Sequence, residues 1–382
     1  MQQFLNLSDV PRRYLMPTMR RISIAAAGTA ALALVLSSCA GGDSGDGSDI
    51  DRTADISEQT LTVSIWADYY PEDLAEKFEE ATGVKTTIVN HATNEDVVAK
   101  LTASSDPGID VAFVSGQYAQ ALAEQGLLQE LDKELVPNES NLYPEALELA
   151  YDEGNVYSEP YAWGTTGLCY RPDLTGFDPT SWNDLLNPMP ELDGKTTMLS
   201  TDRWLALPAL KAAGYSVNTT DDAELEEAKA QLLETKPTLL AYDDTTFYSK
   251  LVSGEAAMVE AWDGWCNYGI AENPDIKFVV PDEGADLWVD TMTVLKSSEN
   301  KEAAMAFINY ILDPEVQTWV AENILYKVPN QVAMEALDPA LIESYPTLGI
   351  TVDELFEQEV IVDLGEDSLK YVDLNAEVLA TN

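Results

Sequence analysis

The chain has 382 residues, of which 67 are acidic and 21 are basic, giving a formal net charge of −46 at neutral pH. An acidic excess of this size excludes nucleic acid as a partner, because nucleic-acid binding depends on basic surface. The length exceeds that of one typical domain and predicts two lobes. Eight tryptophans and seventeen tyrosines supply hydrophobic cores and leave aromatic rings for a binding surface.

The N-terminus has the features of an export signal. Arg20 and Arg21 precede an apolar run over 22–36, which continues into the tetrapeptide LSSC ending at Cys39. A basic start, a short apolar run and small residues before a cut are typical of a signal peptide, and the run is too short to span a bilayer permanently. Since the tetrapeptide resembles a bacterial lipobox, we expect a lipoprotein signal peptide over 1–38 and an acylated Cys39. The alternative is an ordinary signal peptide with a chance cysteine.

A polar segment follows the predicted cleavage site. From Ala40 to about Gln59 the chain is rich in Gly, Ser and Asp and has almost no apolar residues. Such a composition cannot bury enough surface to fold. We therefore expect residues 39–59 to be a flexible tether that anchors the folded part to the outer face of the cell membrane.

Strand and helix patterns alternate along the folded part. They predict strands at 61–66, 86–90 and 110–114, and helices at 71–83, 94–102 and 117–125. The alternation resumes with a predicted strand at 161–170 and continues to a predicted strand at 289–295 and an amphipathic helix at 301–312. This order predicts an α/β protein whose mainly parallel sheets carry helices on their faces.

Motifs of common enzymes are missing from the sequence. It contains one histidine, His91, so a zinc site with several histidines cannot form. The nucleophile-elbow, phosphate-loop and zinc-protease motifs do not occur. We expect no catalytic residue, metal or cofactor. An anchored glycosidase stays open as an alternative, because the many acids provide paired carboxylates by chance.

Aromatic residues stand next to acids at three predicted strand ends. The segments are Trp66-Ala67-Asp68-Tyr69, Trp262-Asp263-Gly264-Trp265 and Trp288-Val289-Asp290. In open α/β sheets, ligands bind beyond the carboxyl ends of strands. Aromatic faces attract ammonium groups and cover methylenes, while a carboxylate accepts charge-assisted hydrogen bonds from each ammonium. Together these residue types indicate a linear diamine or triamine as the ligand.

Eight ordered segments carry a family resemblance over nearly the whole folded part. They are IWADYYPEDLAEKFEEATG, NEDVVAKL, DVAFVS, YAWGTTGL, GYSVNTTD, SGEAAMVEAWDG, LWVDTMTV and YKVPNQVA. In order and spacing, they resemble the periplasmic spermidine/putrescine-binding proteins of ABC transporters. The resemblance implies a periplasmic-binding-protein-like fold with a cleft between two lobes joined by several chain crossings. The implied lobes are 60–162 with 289–336, and 163–288 with 337–382.

The resemblance also implies a set of cleft residues. The aromatic walls would be Trp66, Tyr69, Trp262, Trp288 and Tyr326. The acids would be Asp290, which takes an amino group, Asp202 from the other lobe, and Asp68 beside the first aromatic residue. Ser115 would begin the cleft loop.

The sequence departs from the family pattern at two further cleft positions. Gln117 stands where the family has a cleft-loop tyrosine, and Leu205 replaces an acid three residues after Asp202. We still count Gln117 among the ligand-binding residues. The loss of an acid at Leu205 removes or weakens a contact to one end of the ligand, which leaves the amine class intact and the chain length open.

Besides Cys39, the sequence has two cysteines, Cys169 and Cys266. Two thiols can pair in an oxidising exterior, but the sequence alone leaves open whether they do. By resemblance both would lie in the second lobe, where a disulfide would brace it.

The function implied is that of a monomeric binding protein, which captures spermidine or putrescine and delivers it to the permease of an ABC importer. Alternatives for the same fold are another cationic amine, a sugar, or ferric ion bound through Tyr69 and Tyr70 with nearby acids.

Overall fold

The computed structural model describes residues 50–201 and 203–381. Its strands are β1 (Thr60–Trp66), β2 (Lys85–His91), β3 (Val111–Ser115), β4 (Ser158–Tyr170), β5 (Thr196–Met198), β6 (Ala241–Tyr242), β7 (Met258–Trp262), β8 (Lys277–Val279), β9 (Asp286–Val294) and β10 (Glu359–Val360). The predicted signal peptide at 1–38, the predicted lipidation site Cys39 and the first part of the predicted tether lie outside the described residues. So does Asp202.

Helices occupy the connections between these strands and most of the C-terminal part. They are α1 (Leu74–Thr82), α2 (Asn94–Ala103), α3 (Gly116–Glu124), α4 (Pro172–Thr175), α5 (Asn183–Leu186), α6 (Leu207–Ala212), α7 (Asp222–Thr235), α8 (Phe247–Ser253), α9 (Asp263–Glu272), α10 (Lys301–Ile311), α11 (Pro314–Ile324), α12 (Gln331–Ala336), α13 (Pro339–Ser344), α14 (Val352–Phe356) and α15 (Ser368–Ala380). Over the described ranges, no helix has the length and apolarity needed to cross a membrane.

Local sequence signals explain where the first helices begin and end. Thr93 precedes α2 and its side chain accepts a hydrogen bond from the Asp96 amide, which satisfies one of the free donors of the first turn. Helix α1 ends at Gly83, whose φ of 81° is the left-handed conformation that glycine adopts without strain. The helix predicted from Pro71 begins three residues later at Leu74, because residues 71–73 form a turn.

The main path through the sheet has the strand order β2-β1-β3-β9-β4-β7-β5-β6. Strand β1 is parallel to β2 and β3, and β7 is parallel to β5. The long strands β4 and β9 run antiparallel to each other and to their neighbours β7 and β3. The predicted α/β class is therefore confirmed, with two antiparallel strands at the centre of otherwise parallel groups.

Strand β4 connects the two groups. All thirteen of its residues are buried, as expected for a central strand covered on both faces. Its first part, from Ser158 to Thr165, pairs with β9. Its last part, from Thr166 to Tyr170, pairs with β7 and partly with β8. One continuous strand thus fixes the register of β9 relative to β7.

The described end of the predicted tether is attached to the folded part. The Asp51 amide donates to Glu302 over 2.9 Å, and the Gln59 side chain donates to the same carboxylate over 3.0 Å. Arg52 pairs with Asp132, with 2.5 Å between Nε and Oδ2. Residues 50–59 therefore lie on the protein surface, and the expected flexible segment does not extend to residue 59.

Cys169 on β4 and Cys266 on α9 form a disulfide, with 5.8 Å between their Cα atoms. Both residues are fully buried. The bond ties α9 directly to the strand beside it and closes a loop of 97 residues.

We predict that the Cys169→Ala, Cys266→Ala double variant is less stable by about 3–4 kcal/mol, because closing a loop of this length restricts the unfolded chain. Urea unfolding at equilibrium measures the loss. A reducing agent should lower the stability of the wild type and leave the double variant unchanged. A loss below about 1 kcal/mol would show that the bond contributes little.

Candidate ligand-binding site

A cavity of about 180 Å³ lies where several strand ends meet. Seven of its lining residues are aromatic: Trp66, Tyr69, Trp204, Trp262, Trp265, Trp288 and Tyr326. Three are acidic: Glu95, Asp244 and Asp290. No lysine, arginine or histidine lines it among the described residues. The lining therefore offers π faces and negative charge.

Asp290 is held by two hydroxyl groups. The Tyr69 hydroxyl donates to its Oδ2 over 2.9 Å, and the Ser115 hydroxyl donates to its Oδ1 over 2.7 Å. Desolvation raises the pKa of Asp290 to about 6, although both hydrogen bonds lower it. Because two donors satisfy only part of a carboxylate's acceptor capacity, Asp290 can still accept hydrogen bonds from an ammonium group.

The strand register explains this arrangement. Residue 290 of β9 lies opposite Ser115, the last residue of β3, and on its other side opposite Ala162 of β4. Asn94 at the start of α2 then fixes the serine, since its side chain donates to the Ser115 hydroxyl and accepts from the Ser115 amide, each over 3.0 Å. Three segments distant in sequence thus hold one carboxylate in place.

One group of aromatic rings packs around this carboxylate. The ring of Tyr69 makes edge-to-face contacts with Trp66 at 5.8 Å and with Tyr326 at 4.9 Å between centroids. Tyr326 in turn contacts Trp288 at 5.7 Å. Edge-to-face packing stabilises such clusters beyond the burial of apolar area. Burial and the nearby Asp290 charge raise the pKa of Tyr69 well above its usual value, so its hydroxyl stays protonated and remains a donor.

A second group of rings lines the cavity near β7. Trp204 and Trp262 pack edge to face with 5.3 Å between centroids. The indole nitrogen of Trp204 donates to Oδ2 of the buried Asp286 over 2.8 Å, which fixes the orientation of the ring. Leu205 is fully buried in the core. The neighbouring Trp204 therefore supplies the cavity wall at this position.

Two glycines allow the elements around the cavity to approach closely. An added Cβ at Gly164 on β4 would lie 2.4 Å from Trp288 and 2.3 Å from the carboxylate of Asp263. A Cβ at Gly264 on α9 would lie 2.3 Å from the ring of Tyr326. The glycine in the predicted motif at 262–265 thus makes room for a wall of the site.

A buried carboxylate lies behind this wall. Asp263 accepts a hydrogen bond from the Gly264 amide over 2.8 Å, and burial raises its pKa to about 8. Lys327 is also buried, and desolvation lowers its pKa to about 8. Neither residue lines the cavity.

Comparison with known proteins places the chain in a family. The family model described as bacterial extracellular solute-binding protein matches residues 73–349. The chain belongs to this family. The spermidine/putrescine-binding periplasmic protein of Salmonella typhimurium is 34% identical over 285 residues, covering 73% of this chain and 80% of the relative. The putrescine/cadaverine-binding protein of Pseudomonas aeruginosa is 30% identical over 294 residues, covering 74% and 83%.

A solved structure agrees with these relatives. The substrate-binding protein of a spermidine/putrescine ABC transporter from Streptococcus pneumoniae aligns with a TM-score of 0.74 at 28% identity, covering 84% of this chain and 98% of that one. The family resemblance drawn from the sequence segments and the predicted binding-protein fold are thus confirmed.

Most of the residues predicted for the cleft of this solute-binding protein lie around one cavity. They are Trp66, Tyr69, Ser115, Trp262, Trp288, Asp290 and Tyr326. Asp68 does not line it, because this exposed residue occupies a turn with φ of 57° and its carbonyl accepts from the Tyr268 hydroxyl. Gln117 is buried in the first turn of α3 and also lies outside the lining. Asp202 lies outside the described residues.

Several lining residues were not predicted. Those with polar or aromatic side chains are Thr93, Asn94, Glu95, Thr201, Trp204, Asp244, Thr245 and Trp265. Asn94 and Glu95 open α2 just after β2, a position from which side chains reach the ends of parallel strands. Trp265 stands in the noted motif at 262–265. Asp244 follows a strand of only two residues, Ala241–Tyr242, which gives no usable periodicity.

We predict that Gly164→Ala lowers the stability by about 1–3 kcal/mol, because the new methyl group would force Trp288 or Asp263 to move. Tryptophan fluorescence and urea unfolding measure the change.

Gly349→Ala is the control, because its Cβ would lie 3.1 Å from the Cγ2 methyl group of Ile342, a longer distance than the nearest contacts at Gly164. Equal stability losses in the two variants would contradict the close packing proposed at Gly164.

Proposed function

We propose that this protein captures a polyamine, spermidine or putrescine, and delivers it to the permease of an ABC importer. The observation that carries the proposal is the cavity itself, in which aromatic walls surround the partly satisfied carboxylate of Asp290 and no basic side chain of the described residues intervenes. The names of its relatives, which specify spermidine, putrescine and cadaverine, support the same ligand class.

The chemistry of the cavity suits an organic cation. Moving an ammonium group out of water requires a compensating charge and hydrogen-bond acceptors, which Asp290 offers. The methylene chain needs apolar contact, and the faces of Trp66, Trp262 and Trp288 supply it while also attracting the positive ends. Binding then needs no covalent step, and none of these residues is assigned a catalytic role.

The proposed motion is closure of two lobes around the ligand. The lobes are 60–162 with 289–336, and 163–288 with 337–382. The pairing of β4 supports this division, since its first part joins β9 and its last part joins β7. Asp290 then belongs to the first lobe and Trp262 to the second, so a ligand that contacts both draws the lobes together.

The proposed location is the outer face of the cell membrane. The signal features at 1–38 and the lipobox-like sequence ending at Cys39 support export followed by lipid anchoring. In this arrangement the protein acts as a monomer that docks on its permease when closed.

The structure weakens the alternative of ferric ion binding. Tyr70, the second tyrosine of that hypothesis, does not line the cavity. A sugar would also use the tryptophans, but it would not need the carboxylate of Asp290.

A ligand panel tests the proposal directly. We expect thermal unfolding of residues 50–382 to shift upward by several degrees with putrescine or spermidine, because a hundredfold excess over the dissociation constant adds about 2.7 kcal/mol. Maltose, glycine betaine and ferric citrate serve as the controls for the competing ligand classes. A shift with any of these and with no polyamine would overturn the polyamine assignment.

The raised pKa of Asp290 predicts a pH-dependent affinity. Only the ionised carboxylate pairs with an ammonium, and primary amines stay protonated in this range. The dissociation constant should therefore be constant above pH 7 and rise by about tenfold per unit below pH 6. The stability of the empty protein has the opposite pH dependence to the affinity. Because the pKa of Asp290 is raised in the folded state, its protonation stabilises the fold at low pH, and this contribution is lost as the pH rises towards 6.

The Asp290→Asn variant is the control for this titration. It should bind at least about 30-fold more weakly at pH 7.5, the scale expected for a buried charged partner, and show no pH dependence between 5 and 7. His91 does not interfere, because burial lowers its pKa to about 4. Titration calorimetry measures both effects. An unchanged affinity in the variant would remove Asp290 from the site.

A further inference from the structure

The cavity has a second carboxylate far from Asp290 along the sheet. Asp290 lies on β9, whereas Asp244 follows β6, and three strands stand between β9 and β6 in the sheet order. The rings of Trp204 and Trp262 line the cavity together with Asp244. The acidic groups of the lining are therefore supplied by separate elements.

Short contacts hold the Asp244 carboxylate in place. Its Oδ1 accepts from the Ser200 amide over 2.8 Å and from the Thr201 hydroxyl over 3.3 Å, and its Oδ2 accepts from the Ser200 hydroxyl. All three donors are neutral, and in the described part of the chain Asp244 forms no ion pair with a lysine or arginine. Its charge thus faces the cavity without a cationic partner there.

The adjacent acid, Asp243, differs from Asp244 in having a cationic partner within the protein. Asp243 pairs with the Lys250 ammonium and accepts from the amides of Thr245 and Thr246 at the start of α8. Asp243 does not line the cavity. Of these two consecutive acids, one is neutralised within the protein and the other is presented to the ligand space.

We infer that Asp244 binds the second ammonium group of the ligand, at the end of the cavity opposite to the ammonium held by Asp290. This inference rests on the proposed function, and it defines the ligand as a cation with at least two amino groups. The family resemblance implied Asp202 as a second acid from the other lobe, and a contact to one end of the ligand that is weakened or lost at Leu205. Asp244 is a carboxylate that lines the cavity.

A positioning role for Asp244 makes a different prediction. If the carboxylate only holds the loop at Ser200 and Thr201, its loss disturbs the wall that every ligand contacts. Monoamines and diamines would then lose affinity together. If it binds the second ammonium, only ligands that have a second ammonium are affected.

The test compares putrescine with n-butylamine, which has the same carbon chain and one amino group. Binding to wild type and to the single variants Asp244→Asn, Asp290→Asn, Asp202→Asn and Asp282→Asn is measured by titration calorimetry, with competition for the weaker ligand. We expect Asp244→Asn to weaken putrescine by about tenfold or more and n-butylamine by about threefold or less, the scale of a long-range charge effect. Asp290→Asn should weaken both ligands.

Asp282→Asn is the matched control for the loss of one negative charge, because Asp282 is exposed and lies outside the lining. The inference is overturned if Asp244→Asn weakens both ligands equally, if it weakens neither, or if the selective loss of putrescine appears in Asp202→Asn alone. Failure of the proposed function looks different, because the wild type would then bind no polyamine at all.

Discussion

The desolvated charge of Asp290 is the constraint on which the cavity depends. A carboxylate removed from water loses hydration that two neutral hydroxyls, from Tyr69 and Ser115, replace only in part. The remaining cost is visible in its pKa, which desolvation raises to about 6. An ammonium group supplies both the missing charge and the missing donors. In the proposed function, binding of a cation therefore offsets a desolvation cost that the empty site carries at neutral pH.

The central antiparallel strands make this geometry possible. Strand β9 lies between β3 and β4, so Asp290 meets the end of a parallel strand on one side and a fully buried strand on the other. The same β4 then places Thr166 opposite Trp262. Gly164 lets Trp288 lie against the strand where any side chain would collide with it. The strand register and the absence of a Cβ at Gly164 thus bring aromatic residues that are distant in sequence to a common cavity.

The sequence predicted the parts of the site that lie at the ends of periodic strands. Trp66 and Trp262 are the last residues of β1 and β7, and the apolar residues before each make the strand end visible. Asp290 lies within β9 and was predicted from the acid next to Trp288 and from the family resemblance. Asp68 does not line the cavity, because adjacency to Tyr69 does not reveal the direction of a turn, which here depends on a positive φ. Asp244 was not predicted because it follows β6, a strand of two residues that is too short for a periodic pattern.

Selection among amines depends on the carboxylates more than on the aromatic walls. Indole faces pack against a methylene chain of any length, because they form no directional hydrogen bonds with it. A fixed carboxylate is satisfied only by a charged donor at one place. In the proposed site, Asp290 on β9 and Asp244 in the loop after β6 each bind one ammonium, so a monocation leaves one of these two carboxylates uncompensated. Under this proposal the separation of the two charges, rather than the size of the aromatic surface, sets the ligand length.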